Sequence, residues 1–224
     1  MWRILRPKHR FALYFYGVKR VMQSKDSLDL ALTHLSNLAT AGFHIGLHYR
    51  FSGPIFLYQT HDRAWLQTYL ERGLSRNDPV MAWGLSHTGA VRWTDLVPHD
   101  HAGMFDVAAE LGLRFGVVLS LGAAGSRTVA SFARPDRDFT DYEIASIQIS
   151  VQRMHDDTTP PDPLSRALAD ALRCVAEGDR LSVAALRLGI TERAMKARLL
   201  AARTKLQAKT TAEAVQKARL YRLI

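Results

Sequence analysis

Residues 62–93 read DRAWLQTYLERGLSRNDPVMAWGLSHTGAVRW, and this stretch carries the strongest local signals for the fold. Its first part predicts a helix, because Trp65 and Tyr69 recur one turn apart among other apolar residues. Asp78 and Pro79 predict the start of a second helix, since aspartate is a favoured N-cap and proline suits the first helical position. Two short helices are therefore expected, separated by a tight connection.

Outward from this stretch, the apolar pattern changes between helical and strand-like periods. Helical spacing predicts helices at residues 27–41, 62–71, 79–85, 106–111 and 140–154. Ser27 is the predicted N-cap of the first of them. Strand-like runs predict two hairpins, at residues 44–49 with 53–59 and at residues 117–121 with 128–133. Helices around hairpins indicate an α+β fold, in which helices cover an antiparallel sheet.

Residues 156–163 divide the chain. They contain three prolines and no bulky apolar side chain, and proline lacks the backbone donor that helices and sheets use. They are interpreted as a linker between a first unit, residues 27–155, and a second unit, residues 164–224. Residues 1–26 form a basic N-terminal extension without a signal-peptide cleavage site. It is open whether this extension is an extra helix, a contact with a membrane surface or nucleic acid, or an overextended gene start before Met22.

The composition indicates a globular protein. Of the 224 residues, 47% are hydrophobic and 23% are charged. No uncharged apolar run approaches the roughly 18 residues that a membrane span needs, so stable membrane insertion is not expected. The single cysteine, Cys174, excludes an intramolecular disulfide and gives no basis for a thiolate metal cluster. A reducing, cytoplasmic setting fits, and neither a metal nor a cofactor is predicted.

The net charge of +9 is unevenly distributed. Residues 1–25 carry seven basic and no acidic side chains, and residues 26–161 carry ten basic and fifteen acidic ones. Residues 162–224 carry thirteen basic and six acidic side chains. The last third therefore has the charge of a polyanion binder, with a solvated basic surface as the alternative.

The second unit predicts a small all-α domain of four helices, at residues 164–176, 182–188, 192–206 and 210–221. A short helix, a turn at Gly189 and a longer basic helix form the pattern of a helix-turn-helix. In that longer helix, Met195, Leu199, Ala202 and Leu206 are predicted to face the core.

The remaining faces of the longer helix supply the candidate DNA-binding residues. They are Thr191, Arg193, Lys196, Ala197, Arg198, Leu200, Arg203 and Lys205. Small residues at the centre let a helix enter the major groove, while basic edges reach phosphates on both walls. The alternative is an amphipathic surface helix with solvated lysines and arginines.

Both units resemble one known family. In the second unit, residues 172–178, 185–192, 195–196, 205–206 and 214–224 resemble the LuxR-type helix-turn-helix, which is itself similar to sigma-factor region 4. In the first unit, the spacing Trp65-x3-Tyr69-x8-Asp78-Pro79-x13-Trp93, followed by Gly112-x3-Gly116, resembles the autoinducer-binding domain of quorum-sensing LuxR-type regulators. The resemblance implies an α/β/α sandwich that buries a signal molecule between sheet and helices. It also implies a homodimer that binds an inverted-repeat operator in DNA, with RNA polymerase as a further candidate partner.

The resemblance further implies an N-acyl-homoserine lactone as the ligand, with one amide N–H, two carbonyls and an apolar tail. By this resemblance, Asp78 accepts the amide N–H and Trp65 donates its indole N–H to the lactone carbonyl. Ser131 helps to hold the acyl carbonyl, and Tyr69 and Trp93 supply aromatic walls. Each polar group of a buried ligand needs such a partner, because an unpaired one costs about 1–3 kcal/mol. Without the resemblance, Asp78 is explained as an N-cap and the aromatic residues as core packing.

The sequence also departs from this family. Many lactone receptors have a tyrosine four positions before the tryptophan, where His61 stands here. Histidine can donate a hydrogen bond and can titrate, so His61 is a candidate ligand contact, with a structural role as the alternative. Leu168, Ser182 and Val183 stand in regions where the family commonly has glutamates. A different acyl chain, a non-lactone signal and a regulator without ligand therefore stay open.

Two functions from other classes are alternatives to a regulator. An enzyme would use Asp78 with His61 or His87, but no nucleophile elbow, P-loop, Rossmann glycine pattern or HExxH motif is present. No catalytic residue is therefore predicted. A protein-interaction module that sequesters another regulator is the third interpretation, and the basic edges of the third helix argue against it. Whether ligand promotes or releases DNA binding stays open.

Overall fold

The computed structural model describes residues 12–13, 25–50 and 53–224. These residues form two compact units that divide between Thr159 and Pro160. Most of the basic extension lies outside the described residues, and so do the interpretations attached to it.

One antiparallel sheet organises the first unit. Its strands are β1 (Ala12–Leu13), β2 (Gly42–Arg50), β3 (Gly53–Gln59), β4 (Gly89–Arg92), β5 (Phe115–Leu121) and β6 (Arg127–Arg134). Their spatial order is β1-β3-β2-β6-β5-β4. The two predicted hairpins are therefore present, and they meet where β2 pairs with β6. The α+β class with an antiparallel sheet is confirmed.

Helices cover both faces of this sheet. They are α1 (Lys25–Leu38), α2 (Arg63–Glu71), α3 (Pro79–Ser86), α4 (Trp93–Leu96), α5 (Met104–Glu110) and α6 (Asp141–Asp157). Leu35 of α1 and Ile147 of α6 pack on one face, against Phe43 and Phe132. The buried residues of α2 to α5 pack on the other face. This second face carries the candidate site and is called the site face below.

Two helix starts differ from the sequence predictions. Helix α1 begins at Lys25, so Ser27 lies in its first turn and is not its N-cap. Helix α5 begins at Met104, two residues early, because Gly103 adopts a left-handed conformation that reverses the chain just before it. Elements β4 and α4 were not predicted from the sequence, because four residues are too few to show a hydrophobic period.

Helix α6 has a strong start and a late end. Thr140 and Glu143 form a reciprocal capping box at its first turn. The helix continues to Asp157, and the Thr158 hydroxyl donates to the Met154 carbonyl at 2.6 Å. That bond satisfies one of the free carbonyls at the helix end. The first two residues of the predicted linker therefore belong to the helix.

Strand β2 contains a bulge at His48. This residue has φ 55, and the register against β6 shifts between Gly46 and Tyr49. Strict alternation would place Tyr49 on the same face as Leu47, but the extra residue moves Tyr49 to the opposite face. Leu47 packs with α1 and α6, and Tyr49 lies on the site face.

The bulge buries His48 against the end of α6. Its Nδ1 lies 2.7 Å from the Ser126 hydroxyl and its Nε2 lies 3.0 Å from the Thr158 hydroxyl. The ring stacks on His155 with centroids 4.3 Å apart, and the His155 Nδ1 lies 2.8 Å from the Thr128 hydroxyl. Burial, reinforced by the neighbouring His155, lowers the pKa of His48 to about 4. His48 is therefore neutral near pH 7, and its hydrogen bonds tie the sheet to the end of α6.

The second unit consists of α7 (Arg166–Ala176), α8 (Leu181–Arg187), α9 (Glu192–Lys205) and α10 (Thr211–Leu220). Met195, Leu199, Ala202 and Leu206 are buried in its core, so the predicted inner side of the third helix is confirmed. Cys174 is also buried there, and burial raises the pKa of its thiol. None of the described helices has the length and apolar character needed to cross a membrane.

Candidate functional site

Asp78 lies between α2 and α3 and serves two purposes at once. Its Oδ1 accepts the backbone N–H groups of Val80 and Met81, at 2.7 and 3.1 Å, so the predicted N-cap is present. Its Oδ2 accepts the Tyr69 hydroxyl at 2.6 Å. A carboxylate has about four acceptor positions, and these bonds use three of them. One position on Oδ2 is left for a further donor.

The surroundings of Asp78 favour such a donor. The residue is only 8% exposed, and burial raises the pKa of its carboxyl against the opposing effect of its hydrogen bonds. Burial, and then the nearby carboxylate, raise the pKa of Tyr69. Tyr69 therefore stays protonated and donates to Asp78. A buried carboxylate gains most from a donor that is itself withdrawn from water.

Aromatic rings surround this carboxylate on the site face. Trp65 and Tyr69 lie one turn apart on α2, with ring centroids 5.5 Å apart. Trp93, at the start of α4, packs on Phe105 at 5.2 Å. The Trp93 Nε1–H donates to the Ser131 hydroxyl on β6 at 3.2 Å. Five of the six candidate ligand residues thus belong to this face. Tyr69 bonds Asp78 and Trp93 bonds Ser131, while Trp65 contacts the Tyr69 ring.

Gly116 explains how Trp93 reaches its position. A β-carbon at residue 116 would lie 2.1 Å from the Cδ2 atom of the Trp93 indole. Only glycine therefore lets the indole lie flat on β5 and reach Ser131. Gly116, the second glycine of the Gly112-x3-Gly116 motif, is therefore required by the packing of Trp93.

Helix α9 presents most of the candidate DNA-binding residues to solvent. Thr191 caps the helix by accepting the Ala194 N–H at 3.2 Å. Leu200 is 59% exposed although it is a large apolar residue. Arg193, Lys196, Ala197, Thr204 and Lys205 are also exposed.

Arg203 differs from the other basic residues of α9. It is half-buried, and its Nη2 donates to the Lys209 carbonyl at 2.5 Å. Arg198 is also half-buried. Arg203 therefore stabilises the connection after α9, a role that the helical pattern alone did not indicate.

The family model for the autoinducer binding domain matches residues 28–157, more than half of the chain. The chain belongs to the autoinducer-binding-domain family. Over 229 aligned residues it is 26% identical to the transcriptional activator protein VanR of Vibrio anguillarum, across 91% of this chain and 95% of VanR. The resemblance to LuxR-type quorum-sensing regulators is confirmed, and with it a function in quorum-sensing transcription regulation.

Further proteins are similar to this chain. A putative HTH-type transcriptional regulator y4qH of Sinorhizobium fredii is 35% identical over 98 residues, covering 41% of this chain and 30% of that protein. The crystal structure of Escherichia coli SdiA aligns at 20% identity with a TM-score of 0.48, covering 91% of this chain and 93% of SdiA. The N-acylhomoserine lactone dependent factor CepR2 from Burkholderia cenocepacia aligns at 19% identity with a TM-score of 0.42, covering 58% of this chain and 96% of CepR2.

His61 lies beside the site of this autoinducer-binding-domain protein. Its Nδ1 lies 3.3 Å from the Ala41 carbonyl, and its ring fills the space beside Gly42. Burial lowers its pKa to about 4, so the ring is neutral near pH 7. Among the described residues, no hydrogen bond or ring contact joins His61 to the other five candidates. Its structural role is evident, and its contact with a ligand stays a prediction.

Tyr49 and His44 also lie on the site face and were missed from the sequence. The Tyr49 hydroxyl lies 3.1 Å from the His44 Nε2 and 3.8 Å from the Met81 sulfur. Burial and the Asp78 charge raise the pKa of Tyr49. Gly46 was the available signal, because a β-carbon there would meet the Tyr49 ring at 2.4 Å.

Proposed function

We propose that the first unit, residues 27–155, binds an N-acyl-homoserine lactone on the site face. The observation that carries this proposal is the buried Asp78 carboxylate with one free acceptor position among aromatic rings. A lactone amide is a neutral single N–H donor flanked by apolar atoms, which matches that position. Apolar sites with a few placed polar groups are the usual form of small-molecule sites.

The remaining polar groups of the ligand find partners nearby. The indole N–H of Trp65 is proposed to donate to the lactone carbonyl. The Ser131 hydroxyl accepts from Trp93 and so keeps its own proton for the acyl carbonyl. Tyr69 and Trp93 are proposed as walls around the ring, with His61 at the edge.

A lactone that binds only the folded chain should raise its melting temperature by mass action. A panel of N-acyl-homoserine lactones of increasing chain length is the suitable probe, with thermal unfolding followed by tryptophan fluorescence. Three of the four tryptophans lie in the first unit and none lies in the second, so the signal reports mainly the first unit. A chain-length-dependent rise is expected, and an unchanged melting temperature with every lactone would overturn the sensing proposal.

The second unit, residues 164–224, is proposed to be a helix-turn-helix domain that binds DNA through α9, after a linker that begins near Thr158. Support comes from the exposed Arg193, Lys196 and Lys205, and from Leu200, whose exposure lets it contact thymine methyl groups. A homodimer would present two such helices to an inverted-repeat operator. The setting proposed is the bacterial cytoplasm, with RNA polymerase as a candidate partner and without enzymatic activity.

Ala197→Glu should reduce binding to a random-sequence DNA duplex by more than about tenfold, because its carboxylate faces the phosphates. Glutamate is a good helix former, so α9 should stay folded. Fluorescence anisotropy across a salt series measures the binding constant. For the wild type, the logarithm of this constant should fall with the logarithm of the salt concentration, with a slope of about −0.9 per phosphate contact.

Ala212→Glu is the matched control, since Ala212 is an exposed alanine of α10 in the same unit. Equal binding by the Ala197→Glu variant and the wild type would exclude α9 as the DNA-contacting helix. A wild type without salt-dependent binding would favour the alternative module that sequesters another regulator.

A further inference from the structure

Arg127 is the first residue of β6, and its side chain belongs to the site face. It pairs with Tyr49 across the β2–β6 ladder. Alternation places it on the same side as Val129 and Ser131, both of which contact elements of the site face. Its neighbour Thr128 points the other way and bonds His155. Arg127 and Ser131 are four residues apart on one face, or roughly 13 Å along the strand.

Two nitrogens of the Arg127 guanidinium are buried without a hydrogen-bond partner among the described residues. The residue is 9% exposed, and within the described part of the chain its Nε and Nη1 atoms have no hydrogen-bond partner. A buried charge without a partner is strongly unfavourable, so such groups are normally paired. Two unpartnered guanidinium nitrogens on the site face therefore point to a group that arrives with a ligand.

A second buried arginine, at the other end of β6, has partners within the chain. Arg134 is 8% exposed, and its guanidinium meets Asp136 at 2.8 Å and Glu143 at 3.1 Å. The chain supplies two carboxylates there and none to Arg127 among the contacts of the described residues. Arg127 is thus buried to a similar extent as Arg134, but no carboxylate of the described residues pairs with it.

We infer that Arg127 binds a carboxylate at the end of the signal molecule farthest from its amide. This inference rests on the proposed function, because it uses Asp78 and Ser131 to fix the amide end. The planar guanidinium offers parallel N–H donors that match a carboxylate in a bidentate pair. The signal class is then an acyl compound with an acidic distal end, in place of a plain alkyl tail.

Two synthetic lactones of equal chain length test this inference, one ending in a methyl group and one in a carboxylate. The wild type should bind the carboxylate form about ten- to a hundredfold more tightly, as hydrogen bonds to charged groups allow. Arg127→Met should lose this preference while binding the methyl form at least as well as the wild type does. Isothermal titration calorimetry on the full chain gives both dissociation constants.

Two further variants keep the test decisive. Arg127→Gln retains a hydrogen-bond donor without charge, so its preference for the carboxylate lactone should lie between those of the wild type and Arg127→Met. This variant covers the case in which Arg127→Met fails to fold. Arg114→Met is the matched control at an exposed arginine of the same unit.

The outcomes separate the two proposals. Wild-type binding of the methyl form, with no preference for the carboxylate and no effect of Arg127→Met, would overturn the inference and leave the sensing proposal standing. Binding of neither lactone by the wild type would overturn both.

Discussion

Asp78→Asn is expected to abolish the thermal response to lactones, with at least about a hundredfold loss of affinity. Asparagine is as good an N-cap as aspartate, so its oxygen can keep the bonds to Val80 and Met81. Its NH₂ group then replaces Oδ2 and presents a donor to the Tyr69 hydroxyl and to the ligand amide. The melting temperature without ligand should therefore change little.

The matched control is Asp62→Asn. Asp62 caps α2 by accepting the Ala64 N–H at 2.8 Å, and its side chain is exposed. It undergoes the same chemical change at the same helix position, away from the site face. The wild-type lactone response should persist in this control. If Asp78→Asn also responds normally, Asp78 does not contact the ligand and the site assignment is wrong.

Acid is expected to unfold the first unit between about pH 6.5 and pH 4. Burial lowers the pKa values of His44, His48 and His61 from 6.5 to about 4. Between these values the unfolded chain binds protons that the folded chain excludes, so stability is complete above pH 6.5 and decreases as the pH falls. Each such histidine contributes up to about 3 kcal/mol. The three shifts have the same sign, so the losses of unfolding free energy act together.

Protonation of Asp78 changes the stability in the opposite direction. Burial raises its pKa, so the folded chain takes up this proton before the unfolded chain does, and part of the acid effect is offset. Three histidines oppose this single carboxyl, so a net loss of stability is expected as the pH falls.

His48→Asn isolates one of these protons. Asparagine tolerates the positive φ of the bulge better than most residues and does not titrate in this range. Urea unfolding across the pH interval, followed by tryptophan fluorescence, should show a shallower dependence of the unfolding free energy on pH, by up to one proton. His99→Asn makes the same replacement at an exposed histidine. Identical slopes for His48→Asn and the wild type would show that His48 does not stay neutral in the folded chain.

Residues with local signals were predictable from the sequence. Asp78 and Pro79 form the α3 start as expected, because a cap depends on residues only two or three positions away. Met195 and Leu199 face the core of the second unit because a helical period repeats within one element.

Residues whose position depends on distant contacts were not predictable in this way. Tyr49 was absent from the predicted site because alternation assigns it to the wrong face, and the bulge at His48 depends on contacts with Ser126 and Thr158, far along the chain. Arg127 was likewise missed, since a sequence shows a charge but not the lack of a partner in space.

The burial of Cys174 has a practical consequence for chemical labelling. It is the only cysteine of the chain and is 3% exposed. Burial raises the pKa of its thiol, and reagents that need an accessible thiolate react poorly with such a group. A cysteine introduced at the exposed Tyr142 would therefore be the one readily modified thiol of the folded protein. A fluorophore or spin label can then be attached to the first unit with the native cysteine left in place.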